Sequence, residues 1–338
     1  MDFVYGKEKR FFDFISSISE KDRVALVAHD DLDGLTSAVL ISKAIGKIDY
    51  LRIRRYSFDM FKEIYEECKK KKISKIIIAD LGVEEREQDF IKLARIADVL
   101  VIDHHKAIKD LNSKKIVFMK AESRFPASYL CYYLFSKITK LASWIAVLGI
   151  LADMPHFYNK DNADKVYKDF SLERTENFYD SKTKLSYGLI YLEDNIKQAY
   201  TLFMNSRSIS DLKELEKYGK EVEKEISFYL ADFDKNKEVY NDLFYYYFKP
   251  RYRIKSLLNT FISLKYPDKT IILVRDDGEK LELSARRQDR KVDSARLLQE
   301  SIKGLKQATA GGHIAASGGE ILKKDLSVFK KNLIKLAS

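Results

Sequence analysis

The chain has 338 residues, 46% hydrophobic and 33% charged, with 61 Lys and Arg against 51 Asp and Glu for a formal net charge of +10. That balance excludes a disordered or collagen-like chain, and no apolar run approaches the roughly 18 residues that a membrane-spanning helix requires. A chain of 338 residues outgrows one comfortable core, so two domains are expected. The N-terminal segment lacks the apolar stretch of a secretory signal, which predicts a cytoplasmic protein with no membrane contact. Cys68 and Cys131 stand in helix-like contexts away from any CxxC spacing and read as packed thiols. The basic excess favours a polyanionic partner such as nucleic acid, although Lys-rich surfaces also follow from the growth temperature of the host.

Over residues 1–155 strand and helix signals alternate. Strand-like runs fall at 24–28, 50–54, 75–79, 99–102 and 116–119, with helical patterns between them at 35–45 and 60–72. Such alternation predicts βαβ crossovers, hence an α/β fold with a mainly parallel sheet and helices on both faces. From 128 to 229 the pattern is helical, and 212–229 reads as an amphipathic helix leading out of the first domain, with the mixed-charge residues 231–238 ending the linker. Strands at 243–248, 270–274 and 282–285 and helices at 254–264 and 294–302 then predict a smaller C-terminal α/β domain. No internal repeat or low-complexity tract is present, and residues 159–187, polar with interspersed aromatics, suggest no role.

Three of the strand-like runs end in side chains that bind metal. The first leads into His29-Asp30-Asp31-Leu32-Asp33-Gly34, the third into Asp80, and the fourth into Asp103-His104-His105. Alternation along an extended turn would put His29, Asp31 and Asp33 on one side, with Gly34 allowing a sharp bend into the next helix. Asp153 adds an acid at a helix end ahead of Pro155, whereas His156 lies outside the pattern and is assigned no function. In parallel sheets ligands collect beyond the carboxyl ends of the strands, where these motifs fall. An isolated Asp there is ordinarily a cap or turn former, and a lone His a hydrogen-bonded structural residue. The combination of ligand-bearing segments in matching strand-end positions argues for a metal site.

The donor set is carboxylate and imidazole with no thiolate, which suits Mn2+, with Mg2+ or Co2+ as substitutes, better than structural zinc. So many donors exceed the needs of one ion, and two ions sharing an acid are expected. Ions about 3.5–4 Å apart hold both oxygens of an in-line phosphoryl displacement and activate water near neutral pH, so the inferred chemistry is phosphoester hydrolysis.

The segments His29-Asp30-Asp31-Leu32-Asp33-Gly34, Asp80, Asp103-His104-His105 and Asp153 resemble, in family order, the DHH phosphoesterase superfamily of RecJ-like exonucleases, oligoribonucleases and cyclic-dinucleotide phosphodiesterases. Ser284-Ala285-Arg286 and Gly311-Gly312-His313 through Ala316-Ser317-Gly318-Gly319 resemble the arginine strand and glycine-rich loop of its associated C-terminal domain. The resemblance implies one ion on His29, Asp31 and Asp80 and a second on Asp33, Asp80, His104 and Asp153. It further implies that His105 faces the scissile phosphate, that Asp103 orients a neighbouring imidazole, and that Arg286, Gly311, Gly312, His313, Ser317 and Gly318 bind substrate. Glycines that admit close backbone approach, flanked by Arg286 and His313, independently suit a phosphate. Arg287, Arg290 and Lys291 read instead as a solvated basic face. Tyr245–Tyr247 with Lys249, Arg251 and Arg253 read as a buried aromatic strand rather than a platform for bases.

The expected organisation is a catalytic domain over residues 1–205, a helical linker over 206–238 and a substrate-binding domain over 239–338. The expected function is a manganese-dependent exonuclease or oligonucleotide phosphodiesterase acting on terminal bonds of single-stranded DNA or RNA, gripped between the two domains. A small-nucleotide phosphodiesterase acting on cyclic dinucleotides or 3′-phosphoadenosine 5′-phosphate is the alternative. The filled ligand positions argue against an inactive replication scaffold, while a replication or repair partner stays open. The length fits a compact enzyme of short strands better than one carrying an additional OB-fold.

Overall fold

The computed structural model describes residues 2–57, 59–153, 168–170 and 178–337. The chain divides into two compact units, Met1–Lys220 and Glu221–Ser338.

In the first unit the elements run α1 (Glu8–Ser16), β1 (Val24–Ala28), α2 (Leu32–Ile45), β2 (Tyr50–Ile53), α3 (Met60–Lys70), β3 (Lys75–Ala79), α4 (Glu87–Ile96), β4 (Asp98–Asp103), β5 (Ile116–Lys120), α5 (Ala127–Phe135), α6 (Ser143–Asp153), α7 (Phe178–Leu192) and α8 (Ile196–Asn205). Five strands form one sheet in the order β2-β1-β3-β4-β5, every neighbouring pair parallel. This is the expected α/β layer with helices on both faces. Residues of β1, β3 and β5 are buried throughout, as strands covered on both sides must be.

The pleat sorts each strand into two cores. Val24, Leu26, Ala28, Ile77, Ala79, Leu100 and Ile102 face the larger core, built with α1, α2 and α5 to α8. Ala25, Val27, Ile76, Ile78, Val99, Val101 and Phe118 face the smaller one, closed by α3 and α4. Cys131 sits in the first core and Cys68 in the second, both as free buried thiols, and burial pushes the Cys68 thiol up to about 12.

The helix α9 (Lys213–Asn236) continues past 229, where the amphipathic pattern was expected to end, and the division between the units falls within it. The mixed-charge residues 231–236 are the last turns of that helix, with Phe233 buried and Asp234 accepting from Lys265 and Tyr266. The second unit then contains β6 (Glu238–Tyr240), β7 (Leu243–Phe248), α10 (Lys255–Lys265), β8 (Thr270–Asp276), β9 (Lys280–Arg286), α11 (Ser294–Ser301), β10 (Thr309–His313), β11 (Ala316–Leu322) and α12 (Leu326–Ala337). Its sheet is mixed, ordered β10-β11-β9-β8-β7-β6, with β7 and β8 parallel and the other pairs antiparallel. Tyr245 and Tyr246 are buried in β7, as an aromatic core strand requires. Three strands escaped the sequence pattern. β6 is too short and exposed to show alternation, and β10 and β11 are glycine-rich, so propensity reads them as loop.

The helix α1 is fastened across the sheet by Phe11, which is fully buried and meets the Phe135 ring of α5 edge-on with centroids 5.0 Å apart. Phe11→Ala removes that ring from a packed layer, and urea titration is expected to show a loss of about 3–5 kcal/mol in the first unit.

Candidate metal centre

All the ligand-type residues anticipated in the first unit gather at the carboxyl edge of its sheet. His29 follows β1, Asp80 follows β3, and Asp103 ends β4 with His104 and His105 directly after it. Asp33 is placed differently from the extended turn expected of it. It lies in the first turn of α2, with Asp31 as the N-cap accepting the Gly34 N–H at 2.9 Å. A helix begins here because Asp31 satisfies one of the orphan N–H groups of its first turn. The role of Gly34 is close approach, since a Cβ there would stand 2.4 Å from the His29 carbonyl oxygen. Asp153 reaches the cluster from the end of α6, whereas Pro155 and His156 lie outside the described residues.

Three overlapping groups of potential ligand atoms result: His29, Asp31 and Asp80; Asp33, His104 and Asp153; and Asp80, His104 and His105. His29 Nδ1 is 2.9 Å from Asp31 and 3.9 Å from Asp80. His104 Nε2 is 3.3 Å from Asp80, 3.4 Å from Asp153 and 3.8 Å from Asp33. The other nitrogen of that ring, Nδ1, lies 3.2 Å from the Ser123 carbonyl, which can only accept a hydrogen bond. That contact places the proton on Nδ1 and leaves Nε2 with its lone pair toward the acids, as a ligand requires.

The backbone contributes as well. Asp33 accepts the N–H groups of Ala127 and Ser128 at 2.8 and 2.9 Å, at the start of α5, where free amides and the helix dipole favour an anion. Asp80 holds a left-handed backbone, φ 58°, which aspartate tolerates better than most residues.

The electrostatics of the cluster call for added positive charge. Asp33 and Asp80 are 1% and 3% exposed. Among the described residues, the ion-pair partners of Asp31, Asp33, Asp80 and Asp153 are imidazoles. Burial, followed by the charges of Asp31 and Asp33, holds the Asp80 carboxyl well above the usual range, and burial raises Asp33 despite the nearby His104. Asp153 is pushed up to about 7 by burial and by the Asp33 charge. His29 moves the other way from what burial alone would do: Asp31 and Asp30 lift it to about 9. Oxygen and imidazole donors around a deficit of positive charge fit one or two divalent cations of the Mn2+ or Mg2+ type, and nothing in the donor set suits a thiolate zinc site.

Beside this cluster lies a second group. Asp103, fully buried, accepts from His105 Nδ1 at 2.7 Å through one oxygen and pairs with Lys120 of β5 through the other. Lys120 also reaches Glu84 at 2.8 Å. Burial would raise the Asp103 carboxyl, yet His105 and Lys120 together hold it below the usual range. Lys120, Glu84 and the Ser123 carbonyl were not singled out in the sequence. Lys120 ends a strand of apolar residues, and a lysine in such a run was the available signal. Arg55, past β2, stands 3.7 Å from Asp30 at the same edge.

In the second unit Arg286 ends β9 and pairs with Ala316, which in turn pairs with His313 across the hairpin. The row places Arg286 and His313 on the same side of the sheet. Gly311 and Gly312 pair with Gly318 and Ser317, so these residues form an antiparallel hairpin and not the open loop expected. Gly312 has φ 139°, and a Cβ there would lie 2.6 Å from the Ala316 carbonyl oxygen. His313 and Gly318 are exposed, while Ser317 is buried and donates its hydroxyl to the Ser294 carbonyl at 2.7 Å, tying the hairpin to α11. Arg287, anticipated on a solvated face, is instead buried and paired with Asp289 at 2.8 Å.

The shifts have a consequence for the metal-free protein. A carboxyl raised from 3.8 to about 7 binds its proton more tightly when folded, so its contribution is lost as pH climbs through that interval. An imidazole raised from 6.5 to about 9 contributes fully below 6.5 and loses that contribution as pH rises through 9. Both act in one direction, so thermal melts of the metal-free protein are expected to fall from pH 6 to pH 9. Saturating Mn2+ is expected to raise the midpoint and flatten that slope.

The family model for the DHH family, N-terminal domain, matches residues 23–153, the segment that carries every residue of the cluster. No curated protein matches the chain in sequence. Among solved structures, exonuclease RecJ bound to manganese aligns over 100% of this chain and 96% of its own, with TM-score 0.74 and 13% identity. RecJ from Thermus thermophilus in complex with Mn2+ aligns over 99% of this chain with TM-score 0.73 and 13% identity, and the chain spans 55% of that protein's length. CDC45 from Entamoeba histolytica aligns over 98% of both chains with TM-score 0.61 and 9% identity. At these identities the likenesses establish the fold. The family model, laid over the strand-end acids and imidazoles, identifies residues 23–153 as a DHH family, N-terminal domain.

Proposed function

We propose that the protein is a manganese-dependent phosphodiesterase that hydrolyses terminal phosphodiester bonds of single-stranded nucleic acid or short oligonucleotides. The observation that carries this reading is the meeting of His29, Asp31, Asp33, Asp80, His104 and Asp153 in overlapping ligand groups at one sheet edge. His29, Asp31 and Asp80 would hold one ion, and Asp33, His104 and Asp153 a second, with Asp80 shared between them. Ions bound there would supply an activated water and neutralise the oxygens of an in-line displacement.

The remaining steps belong to the chain's own residues. Asp103 accepts the Nδ1–H of His105 and, against the effect of burial, raises the ring's affinity for a second proton, which Nε2 of the protonated ring would donate to a phosphate oxygen. The half-exposed His105 side chain suits a group that must meet a substrate, whereas the buried His104 suits a ligand. In the second unit Arg286 would add a charged donor and His313 a ring donor for a substrate phosphate, with the backbone of Gly311, Gly312 and Gly318 beside them. The net charge of +10 favours a polyanion over a neutral substrate. Retention of a ligand-type side chain at each anticipated position supports an active enzyme over a replication scaffold; a replication or repair partner is compatible with this activity.

The test is hydrolysis of end-labelled single-stranded DNA, RNA, dinucleotides, cyclic dinucleotides and 3′-phosphoadenosine 5′-phosphate with Mn2+. Product ladders on the oligonucleotides are expected, with loss on chelation and recovery when Mn2+ is returned. Cleavage confined to the last three small nucleotides would move the assignment to a small-nucleotide phosphodiesterase. Asp80→Ala is expected to abolish turnover of every substrate, and Arg286→Ala or His313→Ala to raise KM with kcat largely kept. Full activity in Asp80→Ala would sink the shared-ion account.

A further inference from the structure

The group formed by Glu84, Lys120 and Asp103 sits where a salt bridge is poorly explained by stability. Asp103 and Lys120 are register partners on the neighbouring strands β4 and β5, so their side chains leave the sheet on the same side. By the alternation of the pleat, that is the side of Val101 and Phe118, which belong to the smaller apolar core. The side chains of Lys120 and Asp103 are 0% exposed and that of Glu84 is 2% exposed. Burying such charges costs several kcal/mol per ion, and apolar replacements of similar volume are often neutral or stabilising. A lysine is therefore a poor choice here if holding the fold were its only task.

What the lysine does locally is restrict Asp103. One oxygen of that carboxylate takes the ammonium of Lys120, and the other takes His105 Nδ1 at 2.7 Å. Glu84 stands 2.8 Å from the ammonium as an ion-pair partner outside hydrogen-bond geometry, so the cation lies between two acids and donates to Asp103. The backbone of Lys120 is clamped as well: its N–H donates to the Tyr5 carbonyl at 3.0 Å and its carbonyl accepts the Val4 N–H at 2.7 Å. Without the ammonium, two buried acids would face each other, and Asp103 would keep the His105 ring as its one side-chain partner among those described above. A carboxylate of Asp103 free to turn away no longer dictates which ring nitrogen of His105 bears hydrogen.

We propose that Lys120, anchored by Glu84, is a positioning residue that fixes the Asp103 carboxylate and thereby the tautomer and orientation of His105. The inference rests on the reading that His105 serves phosphodiester hydrolysis. It adds to that reading a lysine and a glutamate that belong to none of the ligand groups.

The test compares wild type with Lys120→Met in three measurements. These are steady-state hydrolysis of an oligonucleotide, Mn2+ titration by calorimetry, and the 15N–1H correlation pattern of the histidine rings in the metal-free protein. Losing a partner that orients an active group is expected to lower kcat by about 10- to 100-fold, with KM and Mn2+ affinity unchanged. The His105 ring is expected to pass from the Nδ1–H form to a mixture of tautomers. Unchanged kcat with an unchanged ring pattern would overturn the proposal, as would a fall in Mn2+ affinity parallel to the fall in kcat, which marks general loss of structure. Should Lys120→Met fail to fold, the paired variant Glu84→Met with Lys120→Met removes both charges together and carries the same three measurements. If wild type cleaves none of the phosphodiesters offered, the proposed activity fails, and the ring pattern by itself then decides whether Lys120 positions His105.

Discussion

Mutual repulsion among buried carboxylates at the carboxyl edge of the parallel sheet is the constraint around which the first unit is organised. Asp31, Asp33, Asp80 and Asp153 approach one another while Asp33 and Asp80 are almost wholly removed from water, and the side chains that meet them are imidazoles. Like charges so placed cannot all remain ionised without an added cation. The surrounding architecture reduces the cost in part. The amides of Ala127 and Ser128 face Asp33, and Asp31 caps α2. What those dipoles do not supply is net positive charge, which a divalent ion bound there would add.

Beside this cluster, a second pair of acids is handled in the opposite way. Glu84 and Asp103 are as deeply buried, yet they receive their cation from the chain itself, as Lys120. The two neighbouring groups thus differ in where their positive charge comes from. One lacks a cationic side chain among the described residues, and in the other Lys120 stands between two acids while Asp103 holds an imidazole. His104 and His105, adjacent in sequence, fall on either side of that division. His104 is buried with its Nδ1 on the Ser123 carbonyl, and His105 is half exposed with its Nδ1 on Asp103.

The second unit uses a mixed sheet to bring Arg286 and His313 onto one row across β9, β11 and β10. Glycines at 311, 312, 318 and 319 leave the backbone of this edge hairpin open, because no side chain covers it. Ser317 anchors the hairpin inward to Ser294. An edge rich in glycine and bounded by a buried serine is a rigid way to present backbone groups.

Much of this was legible in the residues. Apolar runs at 24–28, 75–79 and 99–102, each closing in Asp or His, specified both a parallel sheet and the edge at which its ligands would meet, since a strand buried on both faces must be continuously apolar and side chains that leave it must do so at its end. The hairpin was not legible, because glycine carries no β-propensity and strand pairing there is decided by the neighbouring β9. Nor was the place of Asp33 within a helix rather than an extended turn, which depends on Asp31 finding the Gly34 amide. The sequence by itself determined which residue types could bind a metal and the order of elements that would carry them. Only the tertiary structure decided that Lys120 and Glu84 close on Asp103, because pairing between β4 and β5 and burial of an ion pair are contacts between distant parts of the chain that no local pattern encodes.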